Sequence, residues 1–174
     1  MTSADRVRII GDPVLRERGR KVSFPEDGHL IQKVLEKMFS ILEQEEGLGL
    51  AAPQAGESLR VFIALPGYLD ELQGHTVFIN PQVEPYGSME KREEGCLSIP
   101  GVYETLERPC SARIRALDQN GQEFTLDVSG LSARLVQHEN DHLEGILYVD
   151  RLSPMKKKLL KRKLRNLRDQ GLSS

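Results

Sequence analysis

The stretch "QHENDH", residues 137–142, sets two histidines four residues apart with a glutamate directly after the first. Residues at i and i+4 are neighbours on one helix face, so both imidazoles can reach a single ion. The glutamate sits about a hundred degrees round the helix, too far to ligate comfortably but close enough to reach water at that ion. Metal-assisted hydrolysis is the chemistry this spacing allows. A polar surface helix can carry the same letters, so the flanking residues matter. Leu131, Leu135, His138 and His142 fall at i, i+4, i+7 and i+11, one core-seeking stripe that a solvated face would not continue. Imidazoles that follow leucines inward need a partner for each ring nitrogen.

Two histidines leave the ion a ligand short, since catalytic sites usually use three protein ligands plus water. Cys96, in "EEGCLSIPG", is the strongest candidate for the third: it follows a permissive glycine where a strand runs into a turn. A small buried hydrophobe is the alternative for Cys96, and for Cys110 it is the whole account. A third stretch, "EEGLGLAAPQAG" at 45–56, alternates glycine with leucine and lacks the Lys-Ser/Thr of a phosphate loop. It suits either a backbone that another chain approaches closely or a plain connector from helix to strand.

These residues need elements to hold them. Apolar residues at 31, 34, 35, 38, 41 and 42 predict an amphipathic helix that stops at Gly47. Short extended stretches follow: "LRVFIAL", "TVFINPQVE", "GVYETL", "SARIRALD" and "QEFTLDV", separated by the turn signals Pro66-Gly67, Pro100-Gly101 and Asn120-Gly121. Asn120-Gly121 predicts a type I′ hairpin. The HExxH helix should run from about Leu131 to Leu143, closed by Gly145. A last helix, at about 153–170, opens on Ser153 as N-cap and Pro154 as first residue, with Met155, Leu159, Leu160, Leu164 and Leu167 near one face. The expected fold is α+β: antiparallel or mixed β-sheets packed around a central helix carrying HExxH, with an N-terminal and a C-terminal helix. No repeat or linker divides residues 1–174, so a single domain is expected.

Composition narrows the setting. With 39% hydrophobic and 29% charged residues the chain reads as an ordinary soluble protein, and its longest apolar run is broken at Pro66 and Gly67, far short of a membrane span. The N-terminus lacks the pattern of a secretory signal, and two cysteines are too few for a disulfide framework. The cytoplasm is the expected compartment. Net charge is −2, but 154–174 holds eight Lys or Arg against one acid, so a segment of +7 is joined to a body of −9. A solvated helix packed on the body, a membrane-surface helix and a polyanion-binding helix all fit that tail.

"GLGLAAPQ", "EGCLS" and "QHENDH", in that order, resemble the three signature motifs of the peptide deformylases, and "DPVLR", "FINP" and "LSP" extend the resemblance over nearly the whole chain. It implies a bacterial, cytoplasmic-type enzyme, one catalytic domain that hydrolyses the formyl group from the N-terminal methionine of new proteins and releases formate. By the same resemblance Cys96, His138 and His142 match the metal ligands and Glu139 the general base and acid. Gln54 and the Leu97 backbone N–H match the donors to the oxyanion. Leu48, Gly49, Glu94 and Gly95 match the substrate cleft, and Leu131, Leu135 and His138 the wall of the methionine pocket. One divalent ion is implied, iron(II) in the cell, replaceable by zinc, nickel or cobalt. The implied partners are formyl-Met nascent peptides and, through the basic helix, the ribosome, with no membrane and no DNA. Removing residues from Lys156 onward would then weaken ribosome binding and spare hydrolysis of a short formyl peptide. Tyr103 stands where some bacterial members place an arginine, which bears on downstream-residue preference. Two other functions fit parts of the pattern: an HExxH metallopeptidase cutting internal bonds, and a non-catalytic metal-binding module.

Overall fold

The computed structural model describes residues 6–65 and 70–172; the Pro66-Gly67 turn lies outside the described residues. Helix α1 spans Gly28–Glu45 and buries Ile31, Val34, Leu35, Met38, Ile41 and Leu42, the six positions its periodicity marks. Its last residue lies two before the expected Gly47, and Glu46 takes the left-handed capping conformation at φ 53°. Five strands follow: β1 Gly49–Ala51, β2 Val61–Ala64, β3 Val77–Gly95, β4 Tyr103–Leu117 and β5 Glu123–Ser129. They form one antiparallel sheet in the order β1-β2-β3-β4-β5. Parallel pairing is confined, among the described residues, to an isolated bridge between Arg20 and Leu59, so the several or mixed sheets expected from sequence are a single meander.

"GVYETL" and "SARIRALD" join into β4, and "TVFINPQVE" continues to Gly95 as the 19-residue β3. Prolines hide this continuity from sequence. Beyond Ile79, β3 pairs only with β4, and β5 covers β4 only from Ser111, so Pro85 and Pro109 each have one side free of ladder bonds. Register shifts between Ile79 and Gln82 and between Tyr86 and Met89 bend this two-stranded arm. The β4–β5 turn differs from expectation as well. Only Gly121 has a positive φ, and the Asp118 N–H donates to Gln122 O across a three-residue loop. Asp118 Oδ1 accepts from the Asn120 and Gln122 N–H groups, which favours this loop over type I′.

Helix α2, Gly130–Leu143, carries the HExxH sequence and packs against all five strands. Helix α3 spans Pro154–Leu172. Its apolar residues are split: Leu164 is buried and Leu160 and Leu167 pack beside it, whereas Met155 and Leu159 are 74% and 78% exposed. The single stripe expected from sequence is thus two. The face that packs is the one meeting Ile10, Ile99 and Leu152; the other has no partner surface among the described residues.

Candidate metal centre and substrate cleft

Three segments converge on one point. Strand β3 ends at Gly95 and delivers Cys96 just beyond it; α2 delivers His138 and His142; a 3₁₀ turn, Ala52–Ala55, delivers Gln54. One ligand atom each from Cys96, His138 and His142 lies within 4.8 Å of the other two. Cys96 Sγ is 3.4 Å from His142 Nε2. The His138 Nδ1 is taken by Glu94 Oε2 at 3.1 Å, which turns Nε2 towards the thiol.

The donor set fits a metal ion on two observations. Thiolate and imidazole together suit iron(II) or zinc(II), and the buried Glu139 Oε2 beside them has no hydrogen-bond partner among the described residues. Such an orphan carboxylate oxygen is costly unless something in the working site uses it. Burial pushes the Glu139 pKa up to about 7, with Glu94 and Asp141 adding to the rise and His138 and Arg108 opposing it. The imidazoles diverge. Burial works against a charge on either ring, but hydrogen bonds to Cys96 and Glu94 raise the His138 pKa well above its ordinary value. Burial, then the charges of His138 and Arg108, hold His142 well below it.

Gln54 is buried and oriented at both ends of its amide. Its Oε1 accepts from the Ala51 N–H at 2.9 Å, and its Nε2 donates to Ser98 Oγ at 3.2 Å and lies 3.5 Å from Cys96 Sγ. A cavity of about 440 Å³ opens over the centre, lined by Leu48, Gly49, Glu94, Gly95, Leu97, Leu131 and Leu135, with Cys96, Gln54, His138 and Glu139 at its base. Every residue singled out from sequence therefore lines this one cleft except His142, which lies buried behind it. Gly49 owes its identity to chemistry: a Cβ there would meet Glu139 Oε1 at 3.0 Å. Gly95 lies under the Tyr103 ring, where an added Cβ would come within 2.5 Å of a ring carbon.

The Glu94 carboxylate faces inward more than into the cleft. It accepts from Arg108 Nε and Nη2 at 2.5 and 3.0 Å and from Arg134 Nη1 at 2.8 Å, as well as meeting His138. Burial alone would raise its pKa, but the bonds from His138 and Arg108 hold it well below the usual carboxylate range. Arg108, Arg134 and Asp141 were not singled out from sequence. Arg134 and Asp141 do carry a signal, since they stand four residues before and three after His138 on the same helix; nothing local marks Arg108.

An α+β frame with one thiol and two imidazoles converging beside a buried carboxylate is the arrangement of a hydrolase able to hold a single metal ion. The family described as polypeptide deformylase matches residues 4–158. The chain is 43% identical over 162 residues to the peptide deformylase of Cytophaga hutchinsonii, covering 90% of this chain and 86% of that protein. It superposes on peptide deformylase from Plasmodium falciparum with a TM-score of 0.84 at 33% identity, covering 97% and 98% of the two chains. For the enzyme from Thermus thermophilus the TM-score is 0.81 at 34% identity, covering 94% and 97%. The chain belongs to the polypeptide deformylase family, hydrolases that remove the N-formyl group from newly made proteins, and that hydrolysis is its activity.

Proposed function

We propose that deformylation takes place at one divalent ion held by Cys96, His138 and His142, with Glu139 moving the proton and Gln54 and the Leu97 N–H receiving charge on the formyl oxygen. The observation that carries this is the convergence of the three donor atoms beside a carboxylate that has no other partner for its Oε2. When bound, the ion supplies Lewis-acid chemistry, acidifying water and polarising a carbonyl. Glu139, whose buried Oε2 has no other partner among the described residues, can take a proton from water and hand it to the departing amine of methionine. The Gln54 amide is held by Ala51 and Ser98 before substrate arrives, so its N–H needs no reorganisation as charge develops. The resemblance to the deformylases makes iron(II) the expected ion in the cell, with zinc, nickel or cobalt able to replace it.

The peptide lies extended along β1, the edge strand of the sheet, whose unpaired side offers backbone partners to a guest strand. Leu131, Leu135 and the His138 ring wall the space for the methionine side chain, and Leu48, Gly49, Glu94 and Gly95 border the rest of the cleft. Residues 1–174 work as one catalytic domain in the cytoplasm, on formyl-Met nascent peptides. The exposed cations of α3 suit the ribosome as docking partner, and neither membrane nor DNA has a part in this account. No helix among the described residues is long and apolar enough to cross a membrane.

Formate release from a formyl-Met tripeptide tests the assignment. Glu139→Ala should keep one equivalent of metal and lose at least about a hundredfold in turnover, whereas Cys96→Ala should lose both. Turnover at the normal rate by Glu139→Ala, or cleavage of an end-blocked peptide at an internal bond instead, would rule the mechanism out.

A further inference from the structure

Glu94 holds His138 and is itself held by something larger. Arg108 grips Glu94 with two nitrogens and spends its third, Nη1, on Asp141 Oδ2 at 2.9 Å. Asp141 is gripped in turn by Arg151, whose Nε and Nη2 each lie 2.6 Å from a carboxylate oxygen. Glu94, Arg108 and Asp141 are all nearly buried, while Arg151 is 44% exposed, on the 3₁₀ turn Tyr148–Arg151 that leads into α3. A cavity of about 300 Å³ on the far side of α2 from the cleft is lined by Arg108, Asp141 and Arg151, so solvent reaches this end of the chain of contacts.

We propose that Arg151 is a positioning residue for the metal ligand His138, acting through Asp141, Arg108 and Glu94. The inference rests on the metal centre proposed above. Two links in the chain, Arg151–Asp141 and Arg108–Glu94, are bidentate, and a planar fork on a planar carboxylate fixes orientation as well as distance. Rotation of Asp141 would move its Oδ2 away from Arg108 Nη1 and free the guanidinium that sets the plane of Glu94. Glu94 Oε2 then would no longer anchor His138 Nδ1, and the imidazole ring that aims Nε2 at the ion would be free to turn. Arg134 also bonds Glu94, but through Oε1, the oxygen that does not meet His138. Asp141 therefore depends on Arg151 for its orientation, and His138 depends on Glu94 for the orientation of its ring.

The test uses the full chain, zinc(II) as probe and a competing chelator. Arg151→Ala should raise the zinc dissociation constant roughly three- to tenfold, below the roughly ten- to hundredfold that direct partners of metal-bound histidines contribute, since Arg151 acts through three intermediaries. Lys at 151 restores charge but no fork, so Arg151→Lys should recover little of the loss. Arg18→Ala, which removes another exposed ion pair, to Glu144 beside the end of α2, should stay within about twofold of wild type. In the metal-free protein the hydrogen-bonded Nδ1–H of His138 should exchange faster with solvent and change its ¹H and ¹⁵N shifts in Arg151→Ala, with the His142 ring shifts unchanged. Wild-type zinc affinity and His138 shifts in Arg151→Ala would overturn the relay, as would an affinity loss that leaves the His138 shifts in place or one that Arg151→Lys fully repairs. A wild-type chain that takes up no zinc would instead count against the metal centre, and the His138 shifts would still decide the relay.

Discussion

Glu139 shows how isolation of a single carboxylate becomes both a stability cost and a catalytic property. Its folded pKa of about 7 lies above the ordinary 4.5, and burial is the main cause. A raised pKa means the folded state favours the protonated form, so this contribution to stability is complete below pH 4.5 and is lost as pH rises through 7. In the metal-free protein the penalty at pH 8 amounts to about 3 kcal/mol. Glu139→Gln, which keeps the shape and cannot ionise, should therefore melt higher than wild type at pH 8, with the gap closing towards pH 4.5. Thermal melts of both metal-free chains from pH 4.5 to 8 check this, and a gap independent of pH would contradict it. Gly49 makes a second residue-level case. Gly49→Ala puts a methyl 3.0 Å from Glu139 Oε1 and 3.2 Å from the Ile63 carbonyl oxygen. The flexible carboxylate is the group that yields, so turnover should fall about tenfold or more while metal content and melting temperature change little. Loss of metal in that variant would show that the strain falls on the ligands instead.

At the level of elements, legibility followed local patterning. Helix α1 was readable because six apolar residues at helical spacing all face one core, and the HExxH helix was readable because leucines continue its stripe. The β3–β4 arm was not, since the prolines and Gly87 that signal turns stand where the neighbouring ladder is missing and are tolerated there. Nor was the buried set around Glu94, because Arg108 meets Asp141 and shares Glu94 with Arg134 only after β4 and α2 pack together. Helix α3 is the instructive middle case: its leucines were visible, but which of them face the body depends on Ile10, Ile99 and Leu152. Leu164 is 6% exposed and Leu159 is 78%. Leu164→Ala should cost about 2–3 kcal/mol by chemical denaturation, and Leu159→Ala less than about 0.5 kcal/mol. Equal losses at the two positions would mean that α3 packs on its other face.

Over the whole molecule, the two chain ends back the metal centre together. The Arg8 N–H donates to Gln54 O at 2.7 Å and the Ile10 N–H to Ser98 O at 2.8 Å, so the N-terminal segment ties the Gln54 turn to the loop that carries Cys96. The end of α3 lies directly on that segment: a Cβ at Gly171 would fall 2.5 Å from the Ile10 carbonyl oxygen, and Gly11 faces the Arg168 backbone just as closely. Nearer its start, α3 reaches the rim of the cleft, with Lys156 Nζ on Thr105 O at 2.6 Å and Lys163 Nζ on Gly101 O. Deleting residues from Lys156 onward therefore removes more than a charged surface. Such a chain should melt lower and lose activity on a short formyl peptide, through the loosened segments at Gly101–Thr105 and Ile10–Ser98. A cleaner probe of the proposed ribosome contact reverses the exposed charges and leaves the packed face alone. With Lys157, Lys158, Lys161 and Arg162 changed to Glu, ribosome affinity should fall steeply and its dependence on salt should flatten, since fewer counterions are released on binding. Hydrolysis of the short peptide by that variant should stay within about twofold, because none of the four positions lines the cleft. Sedimentation with ribosomes at two salt concentrations, run beside the formate assay, separates the two effects. Unchanged ribosome binding by the charge-reversed chain would remove α3 from the interaction altogether.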